Sequence, residues 1–361
     1  MAELPIKVGI LGLGRSGWGI HRGVMRRIPE QFEIVAVTDA IPGRLAQSAE
    51  EIGCKAYDDV ESLLADADVE LVVVATFNHL HAPHARQALA AGKHVLCEKP
   101  FGLTVADVDA MIADAKAAGK VLAPFQQRRY ERDFQKVKEV VNSGVIGDVV
   151  HIRICWQGFK RRWDWQTSRD RAGGALNNNG PHPLDHAVAL FGEEGTPEVW
   201  AQAGRYLCSG DAEDHLKFIL SGEGHPTVEV ELTDIWPYSQ DRWTIAGTRG
   251  GMRGNEKRLE WKWVDFGGMD PRPLDMNPTP DRSYNSEKLE WQTDSWEPAG
   301  EVQAGGAGAA PPPNAVLALY TDLRAAIREG RPLTVTPESV RRRVEVMELI
   351  RAAAGIPAQA G

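Results

Sequence analysis

The run IKVGILGLGRSG, Ile6 to Gly17, leaves a folding chain few choices. An apolar, β-branched stretch breaks into glycines at Gly12, Gly14 and Gly17, and a helix-compatible segment follows. A lone GxGxxG is a weak signal, but here it has the strand–turn–helix setting that gives it meaning. The first glycine permits a tight turn, the second lets backbone approach a pyrophosphate, and the third lets helix and strand pack closely. The helix start then favours phosphate charge.

The sequence up to about residue 125 repeats that rhythm. IKVGIL, EIVAVT, LVVVAT, HVLCEK and KVLAPF read as strands, separated by helical GRLAQSAEEIG, HARQALAAG and VADVDAMIADAKAAG. Uninterrupted apolar strands alternating with amphipathic helices predict an α/β, doubly wound parallel sheet covered on both faces. Residues 1–125 are therefore expected to form a Rossmann-type dinucleotide-binding domain. Asp39 ends the second strand, where its carboxylate can accept bonds from ribose hydroxyls and repel a 2′-phosphate. This favours NAD, while the nearby Arg44 leaves NADP possible.

Residues 126–361 follow a different pattern and read as an α+β domain with a largely antiparallel sheet. Its strand candidates are VVHIRICW, HLKFILS, TVEVELTDIW and RWTIAGTRG, and helices close the chain. The stretch from about 255 to 313 reads as loop-rich, ending in EVQAGGAGAAPPP as a linker or surface loop.

A formal charge of -9 argues against a nucleic-acid partner. Four widely spaced cysteines without a CxxC pair fit reduced thiols in a cytoplasmic protein. MAELPIKVGILGLG reads as a first strand and not as a leader, and no run approaches membrane-spanning length.

ATFNHLH, from Ala75, and CEKP, from Cys97, leave the carboxyl ends of strands, the edge where such sheets bind ligands. Lys99 there can stabilise developing alkoxide charge; taken alone, the residues allow equally a surface lysine before a proline. Further on, RAGGALNNNGPHPLDH packs glycines, asparagines and prolines around His182. Gly180, Pro181 and Pro183 are expected to deliver His182 to a helix start, with Pro183 at the first helical position. That setting keeps the imidazole neutral, ready to act as a general base. HPLDH and the group His79, His81 and His84 have no evident further ligand and are read without metal. Trp163 and Arg162 are candidate substrate contacts, flanked by Trp156, Trp165 and Arg161; an indole face suits a sugar ring, although any one tryptophan can equally be packing.

GLGRSG, Asp39, ATFNHLHAPHARQALAAGKHVLCEKP and GGALNNNGPHPLD, in this order, resemble the Gfo/Idh/MocA family of glucose–fructose oxidoreductase and inositol dehydrogenase relatives. The likeness is close over roughly residues 5–192 and looser to the end. It implies NAD(P)-linked hydride transfer to or from a sugar, glycoside or cyclitol, and a second, substrate-binding α+β domain with an open, mostly antiparallel sheet that often mediates assembly into dimers or tetramers. It transfers a catalytic role to Lys99, with Glu98 and Asn78 lining the cofactor and Asp185 at the substrate. The family usually carries aspartate where this chain has Asn178, four residues before His182. An asparagine can orient the histidine but cannot carry its proton. The alternatives are an NAD-dependent glycosidase working by transient oxidation and elimination, and a non-catalytic dinucleotide-binding regulator.

Overall fold

The computed structural model describes residues 4–300 and 313–358. The first sheet comprises β1 (Ile6–Leu11), β2 (Phe32–Thr38), β3 (Lys55–Tyr57), β4 (Leu71–Val74), β5 (His94–Cys97) and β6 (Leu122–Pro124). All its pairings are parallel, in the order β3-β2-β1-β4-β5-β6. Helical turns Arg15–His21 run into α1 (Arg22–Met25), followed by α2 (Pro42–Ile52), α3 (Val60–Ala65), α4 (His81–Ala90) and α5 (Val105–Ala118). Local chemistry sets several ends. Thr104 and Asp107 form a capping box on α5, and Gly119 closes it in the left-handed region at φ +62°. The strand order reverses between β1 and β4, which opens a crevice at their carboxyl ends.

The second sheet has eight strands in the order β14-β13-β12-β11-β7-β10-β9-β8. They are β7 (Val149–Gln157), β8 (Glu198–Gly204), β9 (His215–Ser221), β10 (Thr227–Thr233), β11 (Trp243–Gly247), β12 (Gly250–Gly254), β13 (Leu259–Trp263) and β14 (Gln292–Trp296). Only β7 and β10 pair in parallel. The helices are α6 (Arg132–Asn142), α7 (Ala175–Asn178), α8 (Pro181–Phe191), α9 (Pro313–Glu329) and α10 (Pro337–Ala353). Phe134, Leu184, Val188, Met347 and Ile350 from these helices share a core with the inward residues of the sheet, Trp156 and Trp243 among them.

Two expectations change. The loop-rich segment contains β13 and β14, an edge pair whose alternating charged and aromatic residues hide the strand signal; the expected linker, residues 301–312, lies outside the described residues. The carboxyl-terminal helices also do not belong to the second domain alone. On α9, Val316, Leu319, Tyr320 and Leu323 are buried in the core beneath the first sheet. On α10, Val340 and Val344 join the first domain's other core, while Met347 and Ile350 join the second domain's. The chain therefore returns to bind both domains. Leu323 is fully buried in a core whose other members lie mostly between Ile6 and Phe125. Leu323→Ala should lower unfolding free energy by about 2–5 kcal/mol in urea titrations that follow the first domain. A loss below about 0.5 kcal/mol would contradict this placement of α9.

Candidate active site

The turn after β1 discriminates among its glycines. Gly12 has φ +90°, and a methyl group there would come within 2.6 Å of the Ala75 carbonyl oxygen. One on Gly17 would collide with the Gly12 carbonyl, whereas one on Gly14 would meet nothing within 4 Å. Two glycines thus serve internal packing and the middle one faces open space. That is the cradle a dinucleotide pyrophosphate needs, so these residues fit NAD. Asp39 holds the turn from below: its carboxylate accepts from Leu13 N at 2.6 Å and Ile41 N at 2.9 Å. Arg44 Nη1 lies 3.2 Å from Asp39 Oδ2, on a side chain exposed enough to swing away when ribose hydroxyls replace it.

Glu98 is buried beside this turn. It accepts from the Ser16 hydroxyl and from Lys99 N (3.0 Å), and lies 3.3 Å from His21 Nε2. The other ring nitrogen of His21 meets Tyr320 Oη on α9 at 2.8 Å. Burial opposes ionisation of Glu98, but His21, Lys99 and Ser16 outweigh it and hold the carboxyl down to about 2. A permanent carboxylate therefore braces the first helical turn against the strand end that carries Lys99.

A cis peptide bond joins Lys99 to Pro100 on the same edge. The Lys99 ammonium crosses to the second domain and donates to the Asn178 carbonyl at 2.6 Å. Loss of water lowers its pKa; Glu98 opposes this, and Arg15, Arg128 and Arg162 add to it, bringing Lys99 to about 8. Asn78, in the short helical turn after β4, also crosses the seam. It donates to the Ala172 carbonyl at 2.8 Å and to Asn178 Oδ1 at 3.0 Å.

His182 is the second residue of α8, which begins at Pro181 with Gly180 as its cap; Pro183 lies inside the first turn rather than at its start. The ring is buried, its centroid 5.8 Å from that of Trp156, and its Nδ1 has no hydrogen-bond partner among the described residues. Arg128 and Arg242 stack on Trp156 at 4.7 and 4.8 Å, their charges partly matched by Glu131 and Asp133. Burial, then Arg128, Lys99, His186 and Arg242, push the His182 pKa well below its usual value.

Two expectations about individual residues are corrected. Asn178 does not orient His182: its amide is committed to Asn78 and to the Gln166 carbonyl, the latter at 2.6 Å. Asp185 is fully buried and gripped by Arg129 (2.6 and 2.8 Å) and Arg343 (3.1 Å), so it ties α8 to α10 instead of facing substrate. Trp163 is 78% exposed, and Trp165 sits edge-on to Phe77, centroids 4.9 Å apart. Arg162 pairs with Asp164 and Gln166 and lines a cleft of about 400 Å³. Lys160, Asn178, Glu213 and Asp234 also line it. In the first histidine group, His81 lies between the Pro100 and Thr76 carbonyls and His84 meets the Thr76 hydroxyl. Among the described residues no cluster of His, Cys, Asp or Glu could hold a metal ion, and no helix is long and apolar enough to cross a membrane.

Residues 6–126 match the oxidoreductase family model with an NAD-binding Rossmann fold, and residues 134–253 match the GFO/IDH/MocA carboxyl-terminal domain. The chain belongs to this family. An uncharacterized oxidoreductase of Schizosaccharomyces pombe is 31% identical over 69% of this chain and 70% of its own length. Myo-inositol 2-dehydrogenase of Thermotoga maritima is 35% identical over 54% of this chain and 58% of its own. The crystal structure of an NAD-binding protein from Listeria innocua superposes with a TM-score of 0.78 at 25% identity, covering 98% of both chains. This Gfo/Idh/MocA oxidoreductase thus binds NAD through its first domain. Asp39 should give NAD an affinity about tenfold or more above that of NADP by titration calorimetry, with Asp39→Ala narrowing the gap. Equal affinities in the unaltered protein would show that Arg44 governs the ribose site.

Proposed function

We propose that the protein oxidises a secondary hydroxyl of a sugar, glycoside or cyclitol, working as an NAD-dependent dehydrogenase. The observation that carries this reading is that Lys99 donates to the Asn178 carbonyl and lies close enough to His182 to disfavour its charge, while Asn178 also lines the cleft with Arg162 and Glu213. Asp234 Oδ1 in that cleft is buried without a partner among the described residues, and burial raises the pKa of both Asp234 and Glu213. Carboxyl groups in that state are suited to hydroxyl groups arriving from a polyol. The Thermotoga relative, an inositol dehydrogenase, supports the same class.

The environment also divides the chemical work. His182 lies among cations with no carboxylate at its free nitrogen, so an imidazolium there is strongly disfavoured. It acts as a neutral hydrogen-bond acceptor that points the substrate hydroxyl. Lys99, near 8, is the group that can exchange a proton at working pH. In its amine form it takes the hydroxyl proton; in the reverse direction its ammonium returns that proton to the carbonyl oxygen. What NAD supplies when bound is the acceptor for the hydride released from the same carbon.

A panel of cyclitols, sugars and glycosides, followed by absorbance of reduced nicotinamide, identifies the substrate. With it, kcat/KM for oxidation should rise with pH and level off above about 8, because the amine form of Lys99 is the active one. Lys99→Ala should bind NAD normally and lose about a hundredfold or more in turnover. A rise centred at or below the ordinary histidine range, retained in Lys99→Ala, would return the base role to His182.

A further inference from the structure

The amide of Asn178 is placed by carbonyls at both ends of a short chain of bonds. Ala172 O can only accept, so Asn78 must turn its nitrogen toward it at 2.8 Å; that same nitrogen donates to Asn178 Oδ1 at 3.0 Å. Gln166 O can also only accept, so Asn178 must present its nitrogen there, at 2.6 Å. Neither amide can be reversed without setting oxygen against oxygen. Asn78 and Asn178 are both buried, so the cost of a broken bond is not relieved by water.

The backbone of the same residue does a second job. Asn178 is the last residue of α7, and no backbone N–H among the described residues takes its carbonyl. Such end-of-helix oxygens need an outside donor. Here the donor is Lys99 Nζ at 2.6 Å. A lysine ammonium has three N–H groups, so one bond to this carbonyl fixes its direction and leaves others for a reacting oxygen.

We propose that Asn178 is a positioning residue for Lys99: the Asn78–Asn178–Gln166 bonds fix the carbonyl that aims the lysine, and they require an amide at 178. An aspartate could still accept from Asn78, but its second oxygen would face the Gln166 carbonyl. The segment would shift, and the lysine with it. The asparagine is therefore not a weakened aspartate. It belongs to a different division of labour, in which the lysine and not a histidine–carboxylate pair handles the proton. This inference rests on the catalytic use of Lys99 proposed above, while the placement of the lysine can be read without any turnover.

The test uses the full chain with NAD present and two independent variants, Asn178→Asp and Asn78→Ala; the second leaves residue 178 intact. The first readout is the rate at which an amine-directed acylating reagent modifies Lys99, resolved by peptide mass spectrometry. Both variants should acylate Lys99 about threefold or more faster than the parent, with the surface lysines unchanged, since the anchoring bond is loosened. The second readout is turnover. Each variant should lose about tenfold or more on its own, yet change the residual rate of Lys99→Ala by less than about twofold, since both act through that lysine. Parental acylation rates at Lys99 in both variants would overturn the proposal, as would full multiplicative losses on the Lys99→Ala background. Faster acylation in a protein that oxidises no polyol would leave the positioning intact and refute the dehydrogenase reading instead.

Discussion

Lys99 grows from the edge of one sheet, yet its ammonium is held at 2.6 Å by a carbonyl carried on the other domain. Removing a lysine from water disfavours its charge, so the amine can be drawn into the seam only if an acceptor is waiting at a fixed position. Much of the architecture serves to keep the two ends of that bond in register. Glu98 braces the strand end from the cofactor side through Ser16 and His21, and Asn78 reaches over to Asn178 from the next loop. Asp185, clasped by Arg129 and Arg343, locks the helix that follows the asparagines against α10. Because α10 packs into cores on both sides of the seam, the domains are joined by buried apolar surface as well as by polar bonds.

On the proposed dehydrogenase reading, the same seam gives two basic groups different parts. Lys99 has Glu98 beside it and remains within reach of a proton at ordinary pH. His182 has Arg128 and Arg242 behind it, spaced by the indole of Trp156, and stays neutral. Environments that drive two titratable groups apart in this way assign their chemical parts.

What could be read in the sequence follows the range of the interaction. The glycine turn was legible because its constraint is local: strand, turn and helix are contiguous, and Gly12, Gly14 and Gly17 have the expected steric surroundings. The parallel first sheet was legible from its apolar runs, except for β3, whose three residues are too few to show a period. Positions whose meaning depends on distant partners were not. Nothing near Asp185 announces Arg343, and nothing near Asn178 announces Asn78 or Gln166, so both were assigned to substrate or histidine. Likewise, the amphipathic pattern of α9 shows that it has a buried face but not which core receives it.

The proposed reaction removes hydrogen from a hydroxyl-bearing carbon at a seam built around Lys99 and His182 and delivers it to NAD for good. The most direct measurement uses the best cyclitol or sugar from the substrate panel, deuterated at the carbon that is oxidised. Reduced nicotinamide and carbonyl product are then quantified together, and the label is located by mass spectrometry. The account predicts equal amounts of reduced cofactor and carbonyl product, with the deuterium on the nicotinamide. Deuterium returned to the sugar product, with no net cofactor reduced and a substituent eliminated, would contradict it.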